Sequence, residues 1–212
     1  MLKLEKNIRE ILKDDYERYM STSVSIAKLI AEVAHKRQTR LDGTSYINHP
    51  SHIVKLYEDL VQIYRNDFDS DEIYGLDLPY DGVIEVCWLH DVIEDTEYTL
   101  EEIEDIYIKQ DLGRYFDIYI KNPLILITHI KSEPYPIYIE KVCQNNISAL
   151  VKFLDLYDNS NPFTLDKFEE SELKRMSDYL SYMKIINDKY DYIQKFNLYM
   201  KICYLYDAIK NQ

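Results

Sequence analysis

VIEVCWLHDVIEDTEYTLEEI, residues 83–103, decides the fold. Val83, Ile84, Val86, Cys87 and Leu89 are apolar on nearly every side of a helix, so the segment predicts a buried helix over 83–94. Such a helix needs other elements to cover it. Thr99, with Glu102 three residues on, has the spacing of a capping box and starts a further helix at LEEIEDIY. Into the apolar helix the chain sets His90, Asp91, Glu94 and Asp95. Helical spacing puts His90 one turn from Glu94 and Asp91 one turn from Asp95. Four ionisable groups at the end of a buried helix are costly without compensation, and a divalent metal supplies it. The plainer alternative is an exposed helix end carrying a solvated acidic patch. A lone His-Asp pair fits that alternative; the addition of Glu94 and Asp95 favours a site.

Outward from this segment the pattern stays helical. Leu4, Ile8, Ile11 and Leu12 share a face over 2–20, and Ile26, Leu29, Ile30 and Val33 do so over 22–36. RQTRLDGTSYINHP (37–50) contains Gly and ends in Pro, which predicts a loop, with a helix over 51–65 after it. DFDSDEIYGLDLPYDG (67–82) reads as a surface loop. Three shorter helices are expected at 121–130, 136–144 and 145–158, then a break at NSNPF. Two long amphipathic helices, 166–187 and 189–209, close the chain as a candidate hairpin. Glycine numbers only 4 of 212 residues, which disfavours β-sandwiches, barrels and Gly-rich phosphate loops, and no dinucleotide or P-loop fingerprint occurs. The expectation is one all-α domain over 1–212, a bundle of about 8–10 helices with its motifs between 22 and 162 and further helices over 163–212.

Charge narrows the partners. With 38 acidic against 25 basic residues the net charge is -13, which argues against an extended nucleic-acid surface. A small anionic ligand in a local basic pocket remains compatible with it. Cys87, Cys143 and Cys203 are far apart and odd in number, so each is expected in the core of a protein of a reducing cytoplasm rather than in a disulfide or zinc site. The opening MLKLEKNIREILKDD lacks an apolar signal segment, and runs such as LILI (124–127) are too short to span a membrane. The 21 tyrosines are read as composition and amphipathic packing rather than as an aromatic binding surface.

Two other segments offer ligands that match the His-Asp segment. His49 lies just ahead of Pro50, and Asp155 interrupts the apolar run ALVKFLDLYDN (149–159). Together, AHKRQTRLDGTSYINHP (34–50), LHDVIEDT (89–96) and VKFLDLYDN (151–159) resemble, in order and spacing, the three motifs of the HD-domain metal-dependent phosphohydrolases. The nearest resemblance is to the hydrolase domain of the RelA/SpoT alarmone enzymes and their small stand-alone relatives, whose motifs run AHxGQxRKSGxPYIxHP, LHDxxEDT and VKLADRLHN.

The resemblance implies an HD-domain helical bundle. It also implies one divalent metal, usually manganese, on His49, His90, Asp91 and Asp155. Glu94 and Asp95 match the acidic pair that prepares the attacking water. Arg40 matches a substrate-contacting arginine near the base, and Asn159 an asparagine lining the nucleotide site. Tyr46 and Lys152 occupy motif positions, as substrate contacts or as packing and loop support. His35 is read as packing, and His52 and His129 as ordinary histidines. The implied reaction is 3′-pyrophosphate hydrolysis of (p)ppGpp. Water attacks the phosphorus joined to the 3′ oxygen, that P–O bond breaks, and pyrophosphate leaves. With about 50 residues after the last motif, the expectation is hydrolysis without synthesis. Departures fall in the substrate shell: Leu41 replaces a basic residue, and Leu156 and Asp158 replace the Arg and His of DRLHN. A second reading is therefore hydrolysis of another nucleotide or phosphorylated cofactor. A third is a helical regulatory module that keeps the metal site for structure.

Overall fold

Gly82 marks where the chain turns into its most buried helix. Its φ is +81°, and a Cβ there would sit 2.6 Å from the Tyr119 carbonyl oxygen, so only glycine fits. The structure, a computed structural model, describes residues 2–13, 20, 22–40, 42–67, 79–160, 170–190 and 193–194. Among them it is all-α: helices with no strand, and a single antiparallel bridge between Thr39 and Ser45.

In chain order the helices are α1 (Lys3–Leu12), α2 (Ser23–Ala34), α3 (Asn48–Asp67), α4 (Val83–Leu89) and α5 (Val92–Asp95). Then come α6 (Leu100–Lys109), α7 (Gly113–Tyr115), a π-helical turn Phe116–Ile120, and α8 (Lys121–Ile127). The chain continues with α9 (Tyr135–Val142), α10 (Asn146–Asn159) and α11 (Glu170–Lys189). The starts follow local chemistry. The Thr22 hydroxyl accepts from the Ser25 amide at the head of α2, and Asn145 Oδ1 accepts from Ile147 and Ser148 at the head of α10. The expected capping box is present at α6, with Thr99 and Glu102 each bonded to the other's backbone.

Helix α10 lies at the middle. It packs against α3, α4, α8, α9 and α11, while α4 packs between α2 and α3. Leu150, Val151, Phe153 and Leu154 of α10 are fully buried, as are Val83, Val86, Cys87 and Leu89 of α4. These side chains belong to one contiguous apolar core that also takes Leu4 and Ile8 of α1.

Three expectations need correction. The buried helix is not continuous over 83–94: it pauses at His90 and Asp91, where Asp91 has φ -98° and ψ -7°, before α5 resumes. His49 is not in a loop, because α3 begins at Asn48 and carries His49 and Pro50 in its first turn. The first turn of a helix needs no proline N–H, so Pro50 fits inside the start of this helix rather than breaking the chain. The stretch 113–120, for which the sequence pattern predicts no helix, is helical. Of the expected terminal pair, α11 is present, and the second member lies outside the described residues apart from Ile193 and Gln194. Residues 68–78 of the expected surface loop, Leu41 and Cys203 also lie outside them.

Candidate metal centre

The bundle brings together residues far apart in sequence. Helix α3 contributes His49 from its first turn, the pause between α4 and α5 contributes His90 and Asp91, and the C-terminal half of α10 contributes Asp155 and Asp158. His49, His90 and Asp155 are each at most 3% exposed. The ligand atoms of His49, His90 and Asp91 all lie within 4.8 Å of one another, a spacing that one metal ion can span. Asp155 adjoins this trio, with Oδ1 3.1 Å from His49 Nε2 and 3.9 Å from His90 Nε2. Asp91 Oδ2 is 2.9 Å from His90 Nε2 and 3.6 Å from His49 Nε2.

The donor set fits a divalent cation. At His90, Nδ1 donates to the Cys87 carbonyl at 2.9 Å, which leaves Nε2 as the ligand nitrogen. That Nε2 is buried with no hydrogen-bond partner despite its closeness to Asp91. At His49, Nδ1 donates to Asp158 Oδ2 at 2.6 Å and Nε2 faces Asp155 Oδ1. Burial alone would lower the pKa of His49, but the bonds to Asp155 and Asp158 outweigh it and raise it to about 9. A proton on Nε2 lies between carboxylates, in the place that a cation could take. Burial works to raise the carboxyl groups of Asp91, Asp155 and Asp158, yet neighbouring positive charge and hydrogen bonds hold all three below the ordinary range. Two imidazoles and two carboxylates suit a borderline-to-hard divalent ion.

Tyr46 reaches inward. Its hydroxyl donates to Asp91 Oδ2 at 2.6 Å and stands 3.3 Å from Asp95 Oδ2, and its ring stacks on His35 with centroids 4.6 Å apart. Burial and the Asp91 charge push the phenol pKa far up, so it remains a donor. His35 is buried, as the sequence reading expected, and burial keeps it neutral. Its Nδ1 pairs with Gln38 Oε1 at 2.7 Å, while Gln38 Nε2 donates to the Asp95 carbonyl at 2.8 Å. Lys152 is half-buried over the faces of Tyr135 and Tyr138, and its Nζ donates to Asp155 Oδ2 at 2.7 Å. Burial works to lower its pKa, but Asp155 raises it well above the ordinary value, so it stays a cation.

Glu94 and Asp95 stand on α5, directly after Asp91. Burial raises the pKa of both above the ordinary carboxylate value. Glu94 Oε2 accepts the His129 backbone N–H at 2.9 Å. Arg40, Asn159 and Asp158 form the other flank. Arg40 Nη1 donates to Asp158 Oδ2 at 3.0 Å, Arg40 Nη2 to Asn159 Oδ1 at 3.3 Å, and Asn159 Nδ2 to Asp155 Oδ1 at 2.6 Å.

Sequence reasoning missed Asp158 as a member of this centre. It is 5% exposed and accepts from His49, Arg40 and His52. The signal was present: His49 and His52 are three apart at the start of α3, and Asp155 and Asp158 three apart on α10. Leu156, read as a lost basic group of the substrate shell, is a core residue at 1% exposure.

No model of a known protein family matches the chain. No helix among the described residues is long and apolar enough to cross a membrane.

Proposed function

We propose that the chain is a metal-dependent phosphohydrolase of the HD superfamily that acts on a small phosphorylated nucleotide, with (p)ppGpp-type 3′-pyrophosphate hydrolysis as the leading reaction. The observation that carries this reading is the trio His49, His90 and Asp91, whose ligand atoms lie within one ion's reach beside two carboxylates of raised pKa. His49, His90, Asp91 and Asp155 would hold the ion, with manganese the choice that the three-motif resemblance favours. When bound, a divalent ion lowers the pKa of water and polarises phosphoryl oxygens.

The chain's own groups do the rest. Glu94 or Asp95 takes a proton from the attacking water, and a raised pKa brings a carboxylate closer to what a general base at neutral pH requires. Glu94, whose Oε2 accepts the His129 backbone N–H, is tested first, and Asp95, whose Oδ2 accepts from Tyr46, is the alternative. Tyr46 fixes Asp91 through its hydroxyl, and Lys152 balances the charge of Asp155. Water oxygen bonds to phosphorus, the P–O bond to the ribose oxygen breaks, and that oxygen takes a proton as pyrophosphate is released.

A second reading keeps the reaction and changes the substrate to another nucleotide or a phosphorylated cofactor. It is favoured by the substrate flank, where Arg40 is already bonded to Asp158 and Asn159, and Leu156 faces the core. The test is a panel assay. Purified protein with manganese is offered alarmones, nucleotides and phosphorylated cofactors, with phosphate and pyrophosphate release followed separately. Pyrophosphate released only from 3′-pyrophosphorylated guanosine nucleotides supports the first reading, and release from another class supports the second. No release from any, with manganese bound, leaves a binding module.

A further inference from the structure

We propose that Arg40 is a positioning residue of the metal centre: its guanidinium acts through Asp158 on His49 and through Asn159 on Asp155. The proposal rests on the metal reading of the centre given above. Both routes are continuous in side-chain hydrogen bonds. Along the first, Arg40 Nη1 donates to Asp158 Oδ2 at 3.0 Å, and the same oxygen accepts His49 Nδ1 at 2.6 Å. Along the second, Arg40 Nη2 donates to Asn159 Oδ1 at 3.3 Å, and Asn159 Nδ2 donates to Asp155 Oδ1 at 2.6 Å. One planar fork thus spans two acceptors on successive residues of α10, a geometry that an ammonium group does not reproduce.

The placement of Arg40 suits this work. Its backbone N–H donates to the Thr44 carbonyl and its carbonyl accepts from Gly43, both at 2.9 Å, so a closed turn holds the side chain's root. The side chain is only 22% exposed and lies against a carboxylate that is 5% exposed. Asp158 needs this support. A buried carboxylate that orients a ligand imidazole fixes the ring's tautomer and direction, and its loss costs metal affinity about 10- to 100-fold. His52 also donates to Asp158, from the solvent side of α3. Among the described residues Arg40 is one of three groups that donate to this carboxylate, and it also reaches Asn159.

The experiment is a manganese titration, with free ion followed by its paramagnetic resonance signal, on wild type, Asp158→Asn, Arg40→Ala, Arg40→Lys and the double variant Arg40→Ala/Asp158→Asn. Melting curves in chelator run alongside. Asp158→Asn is expected to weaken manganese binding about 10- to 100-fold, and Arg40→Ala several-fold. Arg40→Lys restores part of that loss, and the double variant loses less than the sum of the two single losses, because with Asp158 gone only the Asn159 route is left for Arg40 to act through. Melting in chelator separates folding from positioning: a variant that melts as wild type yet binds manganese weakly supports the proposal. Arg40→Ala with wild-type manganese affinity overturns it, as does a double variant whose losses simply add. Wild-type protein that takes up no manganese overturns the metal reading itself, before any variant is compared.

Discussion

At His90 the orienting bond is local: Nδ1 donates to the carbonyl of Cys87, one turn back on the same segment. At His49 it is remote: Nδ1 donates to Asp158, which is 109 residues away in sequence. The two imidazoles offer the same nitrogen to the same centre, yet one is aimed by the helix that carries it and the other by a different helix. A locally aimed ligand is in place once its turn forms. A remotely aimed one depends on α3 and α10 being docked, and on whatever keeps Asp158 in position. The comparison teaches that the His90 side is the rigid half of the site and that the His49 side is where surrounding residues tune it.

The largest effect is expected on the rigid half. His90→Ala removes one of the three groups that could hold an ion, and on the proposed reading manganese binding and turnover should both fall below detection. Retained stoichiometric binding would show that the centre is organised around another set of groups. The next tests the division between holding the ion and moving the proton. Glu94→Gln should keep fold and metal affinity and lose turnover by roughly 100-fold or more, as expected for removal of a general base. Near-wild-type turnover would pass the role to Asp95.

A third prediction concerns the α10 face that turns away from the centre. Leu156→Arg restores the residue type of the resembled motif, but at a position 1% exposed in the apolar core. It should destabilise the protein by about 3 kcal/mol or more through burial of an unpaired charge, with no gain in nucleotide affinity. Unchanged melting with tighter nucleotide binding would show that position 156 faces the substrate after all.

The smallest expected effect is proton linkage at the imidazoles, since the charge of Asp91 also raises the pKa of His90 against its burial. The pKa of His49 is raised from 6.5 to about 9 in the metal-free fold, so its contribution is fully present below 6.5 and is lost as pH rises through about 9. The melting temperature of chelator-treated protein should fall by several degrees over that interval, for a loss of up to about 3 kcal/mol. Manganese requires the neutral ring, so its affinity rises with pH and the stabilisation it gives should widen over the same interval. Melting curves that run parallel with and without manganese would contradict the picture of a proton and a metal competing for Nε2.

Much of the rigid half was legible in the sequence because its determinants are local. The all-round apolar pattern of 83–89, the capping box at Thr99 and Glu102, and the charged cluster from His90 to Asp95 are each short-range statements about one or two turns. The all-α class followed from helical periodicity and the scarcity of glycine. Of the tuned half, His49, Asp155, Arg40 and Asn159 were legible as motif positions, but how they are set was not, for three physical reasons. Pro50 reads as a chain breaker unless it falls in a first turn, which depends on where α3 starts. The role of Asp158 depends on α3 docking against α10, a tertiary fact. Leu156 follows Asp155 by roughly 100° around the helix, enough to carry it from the site into the core. The helical stretch 113–120 escaped because its five-residue π-helical turn disrupts the helical repeat that sequence periodicity detects.

The central claim is that these two differently held imidazoles share one ion. It is tested most directly by anomalous scattering from a crystal of the full chain grown with manganese. The account predicts one strong peak bonded by His49 Nε2, His90 Nε2 and the carboxylates of Asp91 and Asp155, with His49 Nδ1 still on Asp158 and His90 Nδ1 still on the Cys87 carbonyl. No peak among these side chains, with His49 still bridging Asp155 and Asp158, would contradict it.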